Sequence, residues 1–318
     1  MGPEYRVDPE TGDWHIVAPA RAARPTDLSG SSADACPFCP GREGLTPPAV
    51  FRTPADRRLP WQVRIVPNRY AVVAPGPGDA ATGTHDVVIE SPNHDGDLRF
   101  ADSTQTAEVL GAMRERCRVL EARRPGAIVV FRNHGVAAGT SLRHPHSQIV
   151  SLDKVPPGLA RRWRHARSFF DETGRCLAED LACAERSAGV RVVEDTGDIL
   201  VYQPRAASVS HQTVLIADDP SAGLAGASDA ALSAMAEALP RVAAGLAAVR
   251  DDPAYNLVVH AGPVGDETAA RWYRWYVGLY PRVSRRAGLE LATGLGINPT
   301  VPEQTAPALR RAMAVRES

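Results

Sequence analysis

FRNHGVAAGTSLRHPHSQIV, residues 131–150, joins the end of an apolar run to a glycine-bearing loop and then to His144-Pro145-His146-Ser147-Gln148. Ala127–Phe131 predicts a buried strand, and His146–Leu152 predicts the next one. Residues two apart on a strand share a face, so His144, His146 and Gln148 are expected to point the same way. A histidine is a competent nucleophile toward phosphorus when its neutral imidazole is oriented through the other nitrogen. Gln148 can donate a hydrogen bond to a phosphoryl oxygen but offers no useful acidity, which suits a weakly basic leaving group such as a sugar phosphate. Gly139, Thr140 and Ser141 can approach phosphate through backbone N–H groups and hydroxyls. By itself the pattern also fits a strand with a solvated histidine face.

Outward from that stretch the chain shows a repeated order. Arg64–Pro67 leads to Tyr70–Ala74, a strand-like run, and His85–Glu90 predicts another strand. Residues 103–124 have helical spacing, with Ser103 as N-cap and Val109, Leu110, Met113, Cys117 and Leu120 on one face. In the second half Asp198–Tyr202 resembles the run at 70–74, and His211–Ile216 resembles His85–Glu90. An Ala/Leu-rich helix from Ser228 to Val249 follows, and Pro240 is expected to kink or split it. Asn256–His260 and Arg274–Pro281 close the series, and residues 155–190 read as a largely helical connection. Strand, strand, helix, strand, strand, occurring twice, predicts an α+β fold made of two duplicated units, residues 1–155 and 156–318.

Composition narrows the class. The 318 residues are 44% hydrophobic and carry 36 Lys+Arg against 37 Asp+Glu, a net charge of −1. That excludes a mostly disordered chain and gives neither the basic footprint of a nucleic-acid binder nor a polyanionic tail. Apolar runs such as Ala127–Phe131 are too short to span a bilayer, and the N-terminus lacks a secretory pattern. The expected compartment is the cytoplasm, with the five cysteines as thiols or metal ligands.

Cys36-Pro37-Phe38-Cys39 is a C-x-x-C pair in a Pro/Gly-rich loop. Two thiolates so spaced can close a turn around one Zn²⁺; a redox pair or two small core residues are the other readings. His94, in Ser91-Pro92-Asn93-His94, and His144 are the candidates to complete a tetrahedron.

These motifs together resemble the galactose-1-phosphate uridylyltransferase family of the histidine-triad superfamily. The resemblance implies tandem histidine-triad-like domains, each an antiparallel sheet with packed helices, the first catalytic and zinc-bearing and the second degenerate. It implies His146 as the nucleophile and Gln148 as its catalytic companion. It also implies one structural zinc on Cys36, Cys39, His94 and His144. Arg21 and Arg24 match the family's Arg-x-x-Arg-Pro segment and are expected to grip a nucleotide diphosphate. Asn68, in Val66-Pro67-Asn68-Arg69-Tyr70, is expected at the nucleoside, and Asn133 and Ser141 at phosphate or sugar. The implied reaction is ping-pong transfer between a nucleotide sugar and a sugar 1-phosphate or phosphate, by a homodimer, with no membrane or nucleic-acid partner.

The C-terminal Gly288–Pro299 and His146–Val150 are similar to a shorter branch that includes ADP-glucose phosphorylases, where an ADP-sugar or dinucleotide is the expected donor. A zinc-stabilised binding protein without transferase activity is the non-enzymatic alternative. In the second half Cys176 lacks a C-x-x-C partner and only His260 stands at a comparable place, so no second metal is expected. Arg132 and Arg143 are read as phosphate contacts or solvated side chains. Arg271, Trp272, Trp275 and Tyr276 are read as lining a sugar pocket or as packing.

Overall fold

Phe131 lies opposite Val258, and Asn133 opposite Asn256, where strand β6 (Ala127–His134) pairs antiparallel with strand β11 (Tyr255–His260). That pairing joins two five-stranded halves into one ten-stranded sheet. The computed structural model describes residues 2–7, 9, 14–23, 36–76, 80–285 and 287–314. The first half contributes β3 (Phe51–Thr53), β4 (Val63–Pro67), β5 (Gly83–Ile89) and β7 (His146–Leu152) outward of β6. The second contributes β8 (Val192–Asp195), β9 (Ile199–Tyr202), β10 (Thr213–Ala217) and β12 (Tyr276–Pro281) outward of β11. The strand order is β3-β4-β5-β7-β6-β11-β12-β10-β9-β8, and every pairing is antiparallel. The connectivity of one half is therefore repeated in the other. A separate two-stranded sheet, β1 (Glu4–Val7) with β2 (Trp14–Val17), precedes it.

Side chains alternate across this sheet and give its faces different tasks. Ile65, Val88, Ile149, Val130, Val259, Val277 and Leu215 point to one side. There they meet helices α1 (Ser103–Glu121), α4 (Asp229–Arg250) and α7 (Pro302–Ala314) in a single apolar core that crosses both halves. The opposite face of the second half is covered by α2 (Pro157–Thr173), α3 (Leu177–Ala188) and the short α5 (Ala269–Trp272). A six-residue helix α6 (Gly288–Thr293) precedes α7. On the opposite face of the first half, the irregular loop that starts at Cys36 packs Cys36, Phe38 and Cys39 against Val66, Val87 and Ile89.

Three local expectations change. Tyr70–Ala74 is not a strand: Tyr70 N donates to Asn68 Oδ1 at 2.8 Å and Val72 N to His85 Nδ1 at 3.1 Å. Side chains claim the backbone donors that a ladder would need, and the topological counterpart of β9 is β4. The N-cap of α1 is Asp102, whose Oδ1 accepts from Gln105 N at 2.7 Å; Ser103 is the first helical residue. Pro240 leaves α4 in one piece. It is buried among Leu239, Val242 and Ala243, so packing outweighs the lost helical hydrogen bond. By length and composition α4 could cross a membrane, yet its apolar residues Met235, Leu239, Val242 and Leu246 form part of the core.

The cap assignment makes a direct prediction. Asp102→Ala should cost about 1 kcal/mol of unfolding free energy in urea, and Ser103→Ala no more than roughly 0.5 kcal/mol. The reverse order would restore Ser103 as the cap.

Candidate active site and metal centre

A cavity of about 350 Å³ opens on the sheet face of the first half, and His146, Gln148, Ser141 and Asn68 all line it. β7 supplies His146 and Gln148 at the expected spacing of two. Ser141 comes from the loop that follows Gly139, which holds φ +86°, a backbone conformation glycine adopts without strain. Arg21 reaches the rim, where its Nη1 donates to Tyr70 O at 2.8 Å beside Asn68.

Hydrogen bonds fix the tautomers of the two histidines at the cavity. His146 Nδ1 lies 2.9 Å from His144 O. A carbonyl only accepts, so Nδ1 carries a proton, and in the neutral ring Nε2 holds the lone pair. His85, on β5, is diagonal to Gln148, whose register partner is Val87, with Nε2 2.9 Å from Gln148 Oε1. The Val72 N–H donates to His85 Nδ1, which puts the proton of the neutral ring on Nε2; Nε2 faces the acceptor Gln148 Oε1 and also lies 3.0 Å from Asn68 Nδ2. With Oε1 so occupied, Gln148 offers the cavity its NH₂ group. The sequence reading missed His85. Its signal was a polar residue in the inward-facing series His85, Val87, Ile89 of a buried strand.

Cys36, Cys39, His94 and His144 come together with all four ligand atoms within 4.8 Å of one another. Cys39 Sγ lies 3.3 Å from His94 Nδ1 and 3.6 Å from His144 Nδ1. A tetrahedral ion with ligand bonds of about 2.0–2.3 Å requires neighbouring donors about 3.5 Å apart, so the set could hold one metal ion. His144 Nε2 donates to Ser91 O at 2.7 Å, which leaves Nδ1 unprotonated toward the sulfurs. Burial pushes the His144 imidazole down to about 4, consistent with a neutral ligand. Between the two cysteines, Phe38 sets its ring 5.9 Å from that of His144 and 5.5 Å from that of His146. The turn that would hold the metal thus also walls the histidine at the cavity. His144 precedes β7, and its ring joins this cluster while His146 and Gln148 line the cavity.

Behind the same strand, Ser147 and Arg132 both bond the Glu90 carboxylate on the helix-covered side of the sheet. Arg132 is therefore neither a phosphate contact nor solvated; it is a buried ion-pair partner, 6% exposed. Glu90 N also donates to Pro145 O at 3.1 Å, so this carboxylate and its own backbone brace the turn between His144 and His146. Sequence reasoning gave Glu90 no role because its partners are strand neighbours only in the folded sheet.

The remaining expectations divide. Asn133 lies on the sheet face of His146 but outside the cavity lining, with Oδ1 accepting from Asn256 Nδ2 at 2.8 Å. Arg24 lies outside the described residues. Arg143 is exposed and pairs with Asp95 at 3.1 Å. Trp272 and Trp275 are core residues, and Trp275 Nε1 donates to Asp219 at 2.7 Å. Arg271 lies over the Phe170 ring. In the second half Tyr276 opens β12 as His146 opens β7, and Gly278 stands in the register place of Gln148. The Tyr280 ring crowds Gly278, where a Cβ would meet it at 2.7 Å. His260 there bonds Arg162 and, at 2.7 Å, the Tyr280 hydroxyl.

Known proteins resemble this chain throughout. A family model for the N-terminal domain of galactose-1-phosphate uridyl transferase matches residues 77–156. An ADP-glucose phosphorylase of Arabidopsis thaliana is 32% identical over 98% of this chain and 93% of its own length. The chain belongs to the galactose-1-phosphate uridylyltransferase family. The crystal structure of an Arabidopsis thaliana ADP-glucose phosphorylase with bound ADP-glucose superposes with a TM-score of 0.80 at 31% identity, over 98% of both chains. A uridylyltransferase structure gives 0.83 at 28% identity, over 99% of this chain and 100% of the other. The family's named members include both uridylyltransferases and phosphorylases, which supports a nucleotidyltransferase type of enzyme.

Elemental analysis should find one metal atom per chain of this family member, absent from Cys39→Ala. At free metal of 100–1,000 times the dissociation constant, loading should stabilise the fold by about 3–4 kcal/mol, and chelation should remove that increment. A metal-free protein of unchanged stability would contradict the cluster's assignment.

Proposed function

We propose that this protein transfers a nucleotidyl group from a nucleoside diphosphate sugar to a phosphate-bearing acceptor through His146. The observation that carries the reading is the His146 Nδ1–H held by His144 O at 2.9 Å, which prepares a neutral imidazole with its lone pair at Nε2. That lone pair attacks the α-phosphorus, the bond from phosphorus to the bridging oxygen breaks, and sugar 1-phosphate leaves with the bonding electrons. In the second step an acceptor phosphate oxygen displaces His146 and regenerates the neutral ring. Splitting one displacement into two is the usual gain of a covalent route.

The Gln148 NH₂, oriented by His85, and the Ser141 loop stabilise charge on the non-bridging oxygens. Arg21 and Arg24 grip the diphosphate and Asn68 meets the nucleoside. Zinc is the ion that suits two thiolates and two imidazoles, and its contribution is a structural cross-link. The halves are read as tandem duplicates, the second having lost the reacting residues at Tyr276 and Gly278.

The full-length similarity to an ADP-glucose phosphorylase at 32% identity favours an ADP-sugar donor with inorganic phosphate as acceptor. Uridylyl transfer between UDP-sugar and sugar 1-phosphate is the second reading, favoured by the family model at residues 77–156.

Intact-protein mass spectrometry separates these readings. Incubation with ADP-glucose should add one AMP, absent in His146→Ala; UMP from UDP-glucose instead would select the uridylyl reading. Nucleotide binding with no adduct from either donor would remove the covalent mechanism. His85→Phe should lower turnover about 10–100-fold with metal content unchanged, as removal of an orienting hydrogen bond does at other sites.

A further inference from the structure

Arg52 and Arg64 are register partners on β3 and β4, directly opposite each other on one face of the sheet. Like charges so placed repel and destabilise the pair. Neither side chain resolves the conflict with a carboxylate bond of its own. Arg52 Nη2 donates to Leu59 O at 2.7 Å, and Arg64 Nη2 donates to Thr46 Oγ1 at 3.0 Å. Arg52 Nε and Arg64 Nη1 are buried and meet no acceptor. Arg64 is 4% exposed and feels the charge of Glu43 without a direct bond to it, so its partnerless Nη1 is costly there. Its guanidinium stacks 5.4 Å from the centroid of the Trp61 ring.

Both arginines line an open groove of about 920 Å³, together with Arg57 and Arg58 from the β3–β4 connection. The carboxylate among the lining residues is Glu43, which accepts from Trp61 Nε1 at 2.7 Å. Nearby Asp56 is taken by Arg58 at 2.8 Å. Two positive charges are left over, which matches a dianion better than a carboxylate. The groove shares no lining residue with the cavity at His146.

We propose that this groove is a second anion site, separate from the cavity at His146, which takes the phosphoryl group of a small soluble molecule between Arg52, Arg64 and Arg57. An arginine fork matches phosphate oxygens in pairs, and a dianion between Arg52 and Arg64 turns their repulsion into shared attraction. The edge position of β3 leaves room for the remainder of the ligand.

The test is a fluorescence titration of the full chain with inorganic phosphate at pH 7.5 in low-salt, chloride-free buffer. Binding beside Arg64 should change the emission of Trp61 saturably, and Trp61→Phe should abolish that change. Arg52→Gln should weaken binding at least tenfold and the exposed Arg57→Ala several-fold, whereas Arg52→Lys should retain it. Ribose 5-phosphate binding more tightly than free phosphate would point to an esterified ligand; equal or weaker binding would point to the free ion. Either supports the site. An identical response to sodium chloride at matched ionic strength, an unchanged dissociation constant in Arg52→Gln and Arg57→Ala, or no saturable Trp61 signal would overturn it.

Discussion

The hydrogen bond from His146 Nδ1 to the carbonyl of His144 is the interaction on which the proposed transfer depends. It selects the neutral tautomer that leaves Nε2 with a lone pair, and its acceptor belongs to a residue of the Cys36–Cys39–His94–His144 cluster. The backbone carrying that carbonyl is held on several sides. The His144 ring is anchored to Ser91 O, Glu90 N reaches Pro145 O, and Phe38 packs on both histidines. A metal on the four ligands would therefore act on reactivity through position, by closing the loop from Cys36 to Cys39 over the turn that precedes β7.

The sheet divides polar work between its two faces. Toward the cavity, β5 and β7 present His85, His146 and Gln148; toward the helices, the neighbouring residues Glu90 and Ser147 join Arg132. Burying that ion pair costs desolvation, and its bonds satisfy the groups only when both partners are present. The pair ties β5, β6 and β7 together one residue away from His146. The second half keeps the connectivity but not the side chains, and the Tyr280 ring crowds the place that corresponds to Gln148.

Much of this was legible in the sequence where the information is local. The period of two in His146-Ser147-Gln148 and the C-x-x-C spacing each place side chains through backbone geometry alone. Apolar runs at 85–90, 127–131 and 256–260 declared their strands. Local pattern failed where a distant side chain decided the outcome. Tyr70–Ala74 has the composition of a strand, but Asn68 and His85 capture its N–H groups. Arg132 stands in a motif-like setting, yet the pleat turns it away from the cavity toward a carboxylate 42 residues earlier. His85 gains its meaning from Gln148, 63 residues later. The union of the halves through β6 and β11 is equally silent in sequence, because both strands read as ordinary buried β.

The proposed transfer turns on the protonation pattern of one imidazole. It can be read directly from the ¹⁵N resonances of His146 in selectively labelled, metal-loaded protein at neutral pH, assigned by comparison with His146→Ala. Nδ1 should be protonated and pyrrole-type, and Nε2 unprotonated and pyridine-type. A proton on Nε2, or an imidazolium with protons on both nitrogens, would contradict it.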